Sequence, residues 1–378
     1  MDRLRSPRPE LDDLVPYEAR DIRADVVLSA NENPHNLPGE LLEKLADRVR
    51  SDIAFNRYPD PLATHLRTMI AEANGLDAGN VLVGNGGDEI ILDVVLAWGG
   101  PGRSLVDLPP TFAMYGIDAH MTGTEIIEVP RLADFDVDGE ALMRAIEERD
   151  PDIIVVSNPN NPTGTMAPET LLIDVLAATD ALVLVDEAYF EFSRQTMRPH
   201  MERNPNLAIL RTFSKAFSLA GLRAGYLLAN PEVIRELTKV RQPYSVNRFT
   251  QVAASLAFRE RMVFEAGVRD TIRVRDRLLH GLANLPGIEI FPTEANYVLF
   301  RVAQASSVWR DLLHDHSVLV RDVSRTPGLE DCLRVTVGSD EEIEKFLSAM
   351  DEIMASKRAS EHFGLNATAS RHMTKDGE

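Results

Sequence analysis

Short apolar runs, each followed by a polar loop, recur along the middle of this chain. They occupy residues 153–156, 181–185, 207–210 and 224–229. Runs of this length predict buried strands, and strands that alternate with helical segments predict a mostly parallel sheet between helical layers. Ligands of such open α/β sheets bind at the carboxyl ends of the strands. The loops after these runs are therefore where functional side chains are expected.

The loop after residues 207–210 places one lysine between hydroxyl groups and an arginine. Lys215 directly follows Ser214, Thr212 lies shortly before it, and Arg223 lies eight residues after it. Hydroxyl and guanidinium groups can hold a phosphate, and a partly desolvated lysine can lose its proton near neutral pH and attack a carbonyl to give a Schiff base. A phosphate beside a reactive amine predicts pyridoxal phosphate as the carbonyl compound.

Two other strand ends carry residues that suit the ring of that cofactor. Asp186 directly follows residues 181–185, and Tyr189 lies three residues later. A carboxylate can pair with a protonated pyridine nitrogen, and a tyrosine can donate to the phenolate oxygen of the ring. The loop after residues 153–156 contains two X-Pro steps, the second at Asn161. Such steps favour an extended, tightly turned loop that presents its amide side chains.

A glycine-rich turn supplies a further anion site. Gly87 and Asp88 follow a short strand predicted at residues 81–84, and they begin an apolar helix that stops at residues 99–100. Free backbone N–H groups and the helix dipole favour an anion at a helix N-terminus. This turn is therefore a candidate for binding the cofactor phosphate.

Taken in order, these motifs resemble those of the fold-type I pyridoxal-phosphate-dependent aminotransferases. The similarity extends from about residue 14 to about residue 356 and is greatest to the histidinol-phosphate aminotransferases. It implies a large three-layer αβα domain with a mostly parallel sheet and a smaller discontinuous α+β domain. It also implies that Lys215 is the Schiff-base lysine and proton shuttle. Asp186 would bind the pyridine nitrogen, and Asn161 and Tyr189 the ring oxygen.

The resemblance implies further ligands around the cofactor and the substrate. Phe112 would stack on the cofactor ring, where many relatives carry Tyr. Two chains would form a homodimer in which Tyr58 reaches the neighbour's cofactor phosphate. The cofactor phosphate would otherwise be bound by Gly87, Asp88, Thr212, Ser214 and Arg223, and the substrate by Tyr17, Asn296, Arg321 and Arg334.

The same resemblance sets the expected domain boundaries. The large cofactor-binding domain would comprise residues 55–245, and the small discontinuous domain residues 1–54 and 246–356, with strands near 296–300 and 333–337. A capping box at residues 339–342 predicts a helix that closes the small domain. Residues 357–378 are polar and lack helical apolar spacing, so they are predicted to form a flexible tail.

Charge and composition limit the partners, the cellular location and the metal sites that are expected of this chain. A formal net charge of -19 over 378 residues disfavours nucleic acid or an anionic membrane as a partner. No apolar run approaches the length of a membrane span and no signal-peptide core is present, so a cytoplasmic location is expected. His314 and His316 are interpreted as a solvated turn, and Cys332 as a packed strand residue. No metal is predicted.

The reaction that the resemblance implies is transfer of the amino group from L-histidinol phosphate to 2-oxoglutarate, giving imidazole-acetol phosphate and glutamate in histidine biosynthesis. Arg321 and Arg334 would bind the substrate phosphate, and Arg334 also the carboxylate of glutamate. Two rivals remain open, a threonine-phosphate decarboxylase of cobalamin biosynthesis and an aromatic amino acid aminotransferase. A regulator with a retired catalytic domain is disfavoured, because no residues remain for a DNA-binding module.

Overall fold

The computed structural model describes residues 22–372 together with Arg5 and Leu11, and side chains as far as Lys357. Its larger sheet has seven strands, and only β8 runs antiparallel to its neighbours. In spatial order the strands are β2 (Val81–Gly84), β8 (Gly225–Ala229), β7 (Leu207–Thr212), β6 (Leu182–Asp186), β5 (Ile153–Ser157), β3 (Ser104–Asp107) and β4 (Glu125–Glu128).

Residues along each central strand alternate between two helical layers. In β6, Leu182 and Leu184 pack into one hydrophobic cluster, whereas Val183 and Val185 pack into another, as the two-residue period of a strand requires. The first layer contains α3 (Gly87–Trp98), α4 (Met114–Thr122) and α8 (Pro231–Val240). The second contains α1 (Gly39–Asp52), α2 (Thr64–Ala73), α5 (Gly139–Arg149), α6 (Glu169–Ala178), α7 (Phe190–Ser193) and α9 (Arg248–Arg259). The predicted mostly parallel sheet between helical layers is therefore confirmed.

A smaller sheet of five strands joins distant parts of the chain. In spatial order its strands are β1 (Val26–Leu28), β11 (Val318–Asp322), β12 (Cys332–Thr336), β10 (Tyr297–Val302) and β9 (Ile288–Ile290). The helices that share its hydrophobic cluster are α10 (Glu265–Ala283), α11 (Ala305–His316) and α12 (Asp340–His372). The strands predicted near residues 296–300 and 333–337 correspond to β10 and β12.

Two helices pack differently from the predicted domain division. Leu41 and Leu45 of α1, and Ala253 and Ala254 of α9, belong to the cluster beneath the large sheet. The sequence-based division instead assigns residues 1–54 and 246–356 to the small domain. An apolar face predicts that a helix is packed, but it does not specify which of two cores receives that face.

The C-terminal helix begins as predicted and extends further than predicted. Ser339 and Glu342 form the expected capping box, with Ser339 N donating to Glu342 Oε2 at 2.8 Å and Glu342 N donating to Ser339 Oγ at 3.2 Å. However, α12 continues to His372, so residues 357–372 are helical rather than without regular structure. Polar spacing alone did not identify this continuation.

Other sequence expectations concern metals, membranes and the cysteine. Cys332 is buried on β12, and burial raises the pKa of its thiol to about 11. Within residues 22–372, no helix is both long and apolar enough to cross a bilayer. The same part of the chain has no group of three or more His, Cys, Asp and Glu side chains arranged to hold a metal ion.

Candidate active site

A cavity of about 170 Å³ lies at the carboxyl ends of β5, β6 and β7. Its position follows from the parallel sheet, because the loops that leave neighbouring strands converge at this edge. The predicted cofactor ligands that line it are Gly87, Asp88, Phe112, Asn161, Asp186, Tyr189, Thr212, Ser214, Lys215 and Arg223. Residues from five separate segments of the sequence therefore meet around one space.

Lys215 presents its amine to this cavity. Nζ donates to the carbonyl oxygen of Ala30 at 3.1 Å and lies 5.9 Å from the centre of the Tyr189 ring. Burial lowers the pKa of Lys215 to about 8, and the nearby positive charge of Arg334 acts in the same direction. A substantial fraction of the amine is therefore neutral close to physiological pH, as a nucleophile or base requires.

Asp186 is held by donors at both of its carboxylate oxygens. It ends β6 with 6% of its surface exposed, and Oδ1 accepts from the backbone N–H of Ala188 at 3.0 Å. Oδ2 accepts from the hydroxyl of Tyr115 at 2.7 Å. Burial raises the pKa of Asp186 to about 6, whereas both donors oppose that rise because they stabilise the charged form. Sequence analysis did not identify Tyr115.

A second set of cavity-lining residues suits a phosphate. Thr212 Oγ1 donates to Ser214 Oγ at 3.0 Å, and Arg223 donates to Ser214 Oγ at 3.5 Å and to Asp88 Oδ2 at 2.8 Å. Gly86 immediately precedes α3, so the free N–H groups of the first helical turn open toward the same space. Two hydroxyls, a guanidinium and a helix N-terminus are therefore adjacent.

The glycine before α3 is required by its conformation and by space. Gly86 has φ +87°, a region that residues with a Cβ adopt only under strain. A Cβ at Gly86 would lie 2.6 Å from Nη2 of Arg223, and one at Gly225 would lie 2.8 Å from the backbone of Gly86. Because Gly86 and Gly225 have no side chain, the turn can lie close to β8 and Arg223 can keep its position.

A short segment at residues 29–31 forms hydrogen bonds with residues that line the cavity. The carbonyl oxygen of Ser29 accepts from Arg334 Nη2 at 2.8 Å, and that of Ala30 accepts from Lys215. The buried Asn31 donates from Nδ2 to the hydroxyl of Tyr189 at 2.9 Å. Sequence analysis did not identify this segment as part of the site.

Two of the predicted substrate residues, Arg321 and Arg334, lie on strands of the small sheet. Arg321 of β11 and Arg334 of β12 are partners in register, which places their Cα atoms opposite each other. Arg334 has 8% of its surface exposed, donates to Asn161 Oδ1 and lies over the ring of Tyr297. Asn296 is buried and donates to the carbonyl oxygen of Asn31 at 3.1 Å. Tyr17 lies outside the described residues.

Tyr58 is not part of the cavity wall of its own chain. It has 83% of its surface exposed and stacks on Tyr244 with a centroid separation of 4.7 Å. It does not line the cavity that contains Lys215. In a single chain, the Tyr58 side chain is therefore exposed to solvent.

Comparison with known proteins assigns the chain to a family. The sequence pattern of the family described as aminotransferase class I and II matches residues 23–350. The chain belongs to this family. It is also 40% identical over 341 residues to histidinol-phosphate aminotransferase 1 of Carboxydothermus hydrogenoformans, covering 90% of this chain and 96% of that protein.

Solved structures show the same fold. A histidinol-phosphate aminotransferase from Sinorhizobium meliloti, solved in complex with pyridoxal-5'-phosphate, superposes with a TM-score of 0.83 at 24% identity, covering 94% of this chain and 98% of that one. An L-threonine-O-3-phosphate decarboxylase from Porphyromonas gingivalis gives a TM-score of 0.78 at 26% identity, covering 87% and 99%. Aminotransferase and decarboxylase structures therefore share this architecture.

Proposed function

We propose that this class I and II aminotransferase is a pyridoxal-phosphate-dependent histidinol-phosphate aminotransferase. It would transfer the amino group of L-histidinol phosphate to 2-oxoglutarate, giving imidazole-acetol phosphate and glutamate. The observation that carries the proposal is that Lys215, Asp186 and a group of phosphate-binding donors line one cavity. These donors are Thr212, Ser214, Arg223 and the N-terminus of α3. Identities of 35% to 40% to proteins named for this activity support the choice of substrate.

The residues present fit pyridoxal phosphate. The hydroxyls, guanidinium group and helix N-terminus suit an anion, and a Cβ at Gly86 or Gly225 would crowd the guanidinium or the turn. Asp186 is buried with donors at both oxygens, which favours a carboxylate that can pair with a ring nitrogen. Lys215 lines the same cavity as Asp186 and these phosphate-binding groups.

Each cavity residue then has a distinct role in the proposal. When bound, the cofactor supplies an electron sink that stabilises negative charge at the amine-bearing carbon of the substrate. Lys215 would hold the cofactor through its amine and, once released, move a proton at that carbon. Asp186 would bind the ring nitrogen, Asn161 and Tyr189 the ring oxygen, and Phe112 one face of the ring.

The substrate phosphate is assigned to the paired arginines. Arg321 and Arg334 stand opposite each other in the small sheet, and two guanidinium groups can share one dianion through parallel hydrogen bonds. Arg334 would also bind the carboxylate of glutamate in the second half-reaction. Asn296 contributes a buried amide oxygen that accepts no hydrogen bond within the described part of the chain. Tyr17 is retained as a further proposed substrate ligand.

A homodimer is part of the proposal. Tyr58 projects from the surface beside Tyr244 rather than into its own cavity, as a residue serving a neighbouring subunit would. Phe55, three residues earlier in the chain, is similarly exposed, at 78% of its surface. A cytoplasmic location is also proposed, because both proposed substrates are soluble metabolites.

A second function is favoured by one comparison. The structural similarity to a threonine-phosphate decarboxylase is of the same order as that to the aminotransferases. A decarboxylase would use the same cofactor cradle and a phosphate site, but it would break the bond to the carboxylate rather than a bond to hydrogen. Aromatic amino acid transamination is a third candidate, in which Arg321 would have no phosphate to bind.

Two measurements test the proposal. Reduction of the purified protein with borohydride, digestion and mass spectrometry should place the cofactor adduct on Lys215. A label on another lysine would remove the cofactor assignment. A screen for amines that convert the bound cofactor to pyridoxamine phosphate should select histidinol phosphate over phenylalanine. Release of carbon dioxide from threonine phosphate would instead identify the decarboxylase.

A further inference from the structure

Tyr115 lies behind the proposed cofactor site rather than in it. It is fully buried on α4, and its ring packs in the hydrophobic cluster that covers one face of the large sheet. It does not line the cavity, yet its hydroxyl donates to Asp186 Oδ2 at 2.7 Å. We propose that Tyr115 is a positioning residue that keeps the Asp186 carboxylate charged and aimed at the ring nitrogen of the cofactor. This inference rests on the proposed function.

The geometry fixes the orientation of the carboxylate. Tyr115 occupies one acceptor direction of Oδ2, and the backbone N–H of Ala188 occupies one of Oδ1. Each carboxylate oxygen has a further lone-pair direction. Rotation of the carboxylate would break both bonds at a buried position where water cannot replace them. Since Asp186 lines the cavity, the remaining acceptor directions are available to a ligand there.

Electrostatics give the hydroxyl a second role. Burial of Asp186 favours the neutral acid, and the negative charges of Asp88 and Glu187 act in the same direction. Donation from Tyr115 stabilises the ionised form and opposes these effects. A protonated carboxyl group could not form an ion pair with a protonated ring nitrogen. Tyr115 therefore acts on the cofactor nitrogen through the charge of Asp186.

This role can be separated from packing. Phenylalanine at position 115 would keep the ring and its edge contact with Phe112, whose centroid lies 5.6 Å away, and would remove only the hydroxyl. Tyr226 provides a matched control. It is also buried, and its hydroxyl bonds to the charged Arg211, outside the cofactor cavity.

The test compares pyridoxal phosphate with its 1-deaza analogue, in which a C–H group replaces the ring nitrogen. Cofactor-free wild type, Tyr115→Phe and Tyr226→Phe would be titrated with each compound. Tyr115→Phe is expected to weaken binding of pyridoxal phosphate about tenfold, the effect of a weakened charge-assisted contact. Binding of the analogue should change less than twofold, because it has no nitrogen for Asp186 to bind. Tyr226→Phe should leave the ratio of the two dissociation constants at its wild-type value.

Each alternative outcome is decisive. If Tyr115→Phe weakens the binding of both compounds equally, Tyr115 has only a structural role and the inference is overturned. If wild-type protein binds pyridoxal phosphate but does not prefer it to the analogue, Asp186 does not bind the ring nitrogen, and the inference fails while the cofactor stands. Failure of the wild type to bind pyridoxal phosphate at all would overturn the proposed function itself.

A measurement on the wild type does not depend on the variant folding. The ¹⁵N chemical shift of cofactor labelled at the ring nitrogen reports whether that nitrogen carries a proton. The inference expects a protonated nitrogen from pH 6.5 to pH 8.5 in wild type. In Tyr115→Phe the nitrogen should lose its proton at a lower pH than in wild type. An unprotonated nitrogen across this range in wild type would overturn it.

Discussion

Removing Arg321 tests whether this enzyme selects its substrate by a phosphate. Arg321 is half-buried on β11 opposite Arg334 of β12. A hydrogen bond to a charged group contributes about 1.5 to 3 kcal/mol, which corresponds to roughly 10- to 150-fold in binding. Because Arg321 is only partly shielded from solvent, the lower part of that range applies. Arg321→Ala should therefore reduce kcat/KM for histidinol phosphate by about 10- to 30-fold.

The assay must separate loss of the phosphate contact from general damage. We would measure kcat/KM for histidinol phosphate, dephosphorylated histidinol, threonine phosphate and phenylalanine in wild type, Arg321→Ala and Arg321→Lys. Histidinol should be affected less than twofold, and lysine should restore charge but only part of the affinity, because it lacks the planar fork. Equal losses on phosphorylated and unphosphorylated amines would refute the phosphate assignment.

Arg334 provides the contrasting control. It would bind the substrate phosphate and the carboxylate of glutamate, so Arg334→Ala should impair both half-reactions. It also donates to Asn161 and to the carbonyl oxygen of Ser29, so its loss should disturb the unliganded site as well. If Arg321→Ala lowers kcat/KM only for phosphorylated amines and Arg334→Ala lowers it in both half-reactions, Arg321 determines specificity and Arg334 binds both substrates.

Three further outcomes are expected. Uptake of pyridoxal phosphate by the cofactor-free protein should accelerate as the pH rises through about 8, because the neutral amine of Lys215 forms above its lowered pKa; a midpoint near 10.5 would contradict this. Mixing Lys215→Ala chains with Tyr58→Phe chains should raise activity above that of the separate variants, because a heterodimer with shared sites retains one intact site. No gain would assign Tyr58 to its own subunit. Gly86→Ala should lower stability by about 1–3 kcal/mol through backbone strain and weaken phosphate binding by displacing Arg223. Gly100→Ala has a similar positive φ in open space, so it should lower stability without changing phosphate binding; equal effects of both variants on phosphate would remove the steric argument.

The parts of the site that were predictable from sequence are those whose residues follow strands. Asp186 ends β6, and Lys215 lies in the loop between β7 and β8, so an apolar run followed by a functional side chain identified each. Gly87 was identified by the glycine turn before a helix. In a parallel sheet these strand ends share one edge, and local patterns therefore implied that distant residues meet.

The missed residues depend on contacts that no local pattern encodes. Tyr115 reaches Asp186 across 71 positions of sequence, and Asn31 reaches Tyr189 across 158. A tyrosine on an apolar helix is indistinguishable from core packing until its hydroxyl finds a partner. The positive φ of Asn31 is equally invisible in a sequence, although asparagine tolerates that conformation better than most residues.

The charge distribution explains how a strongly acidic protein can still bind anionic ligands. The net charge of -19 opposes the approach of a phosphate ester over long distances. However, screening at physiological salt weakens the effect of charges more than about 10 Å from the site much more than the effect of adjacent charges. Arg223 and Arg334 also act on Lys215, whose pKa they lower together with burial. The two arginines that are proposed to bind the substrate and the cofactor phosphate therefore also help to keep the Lys215 amine neutral. In the proposed function, anion binding and the nucleophilicity of the amine would depend on the same few side chains.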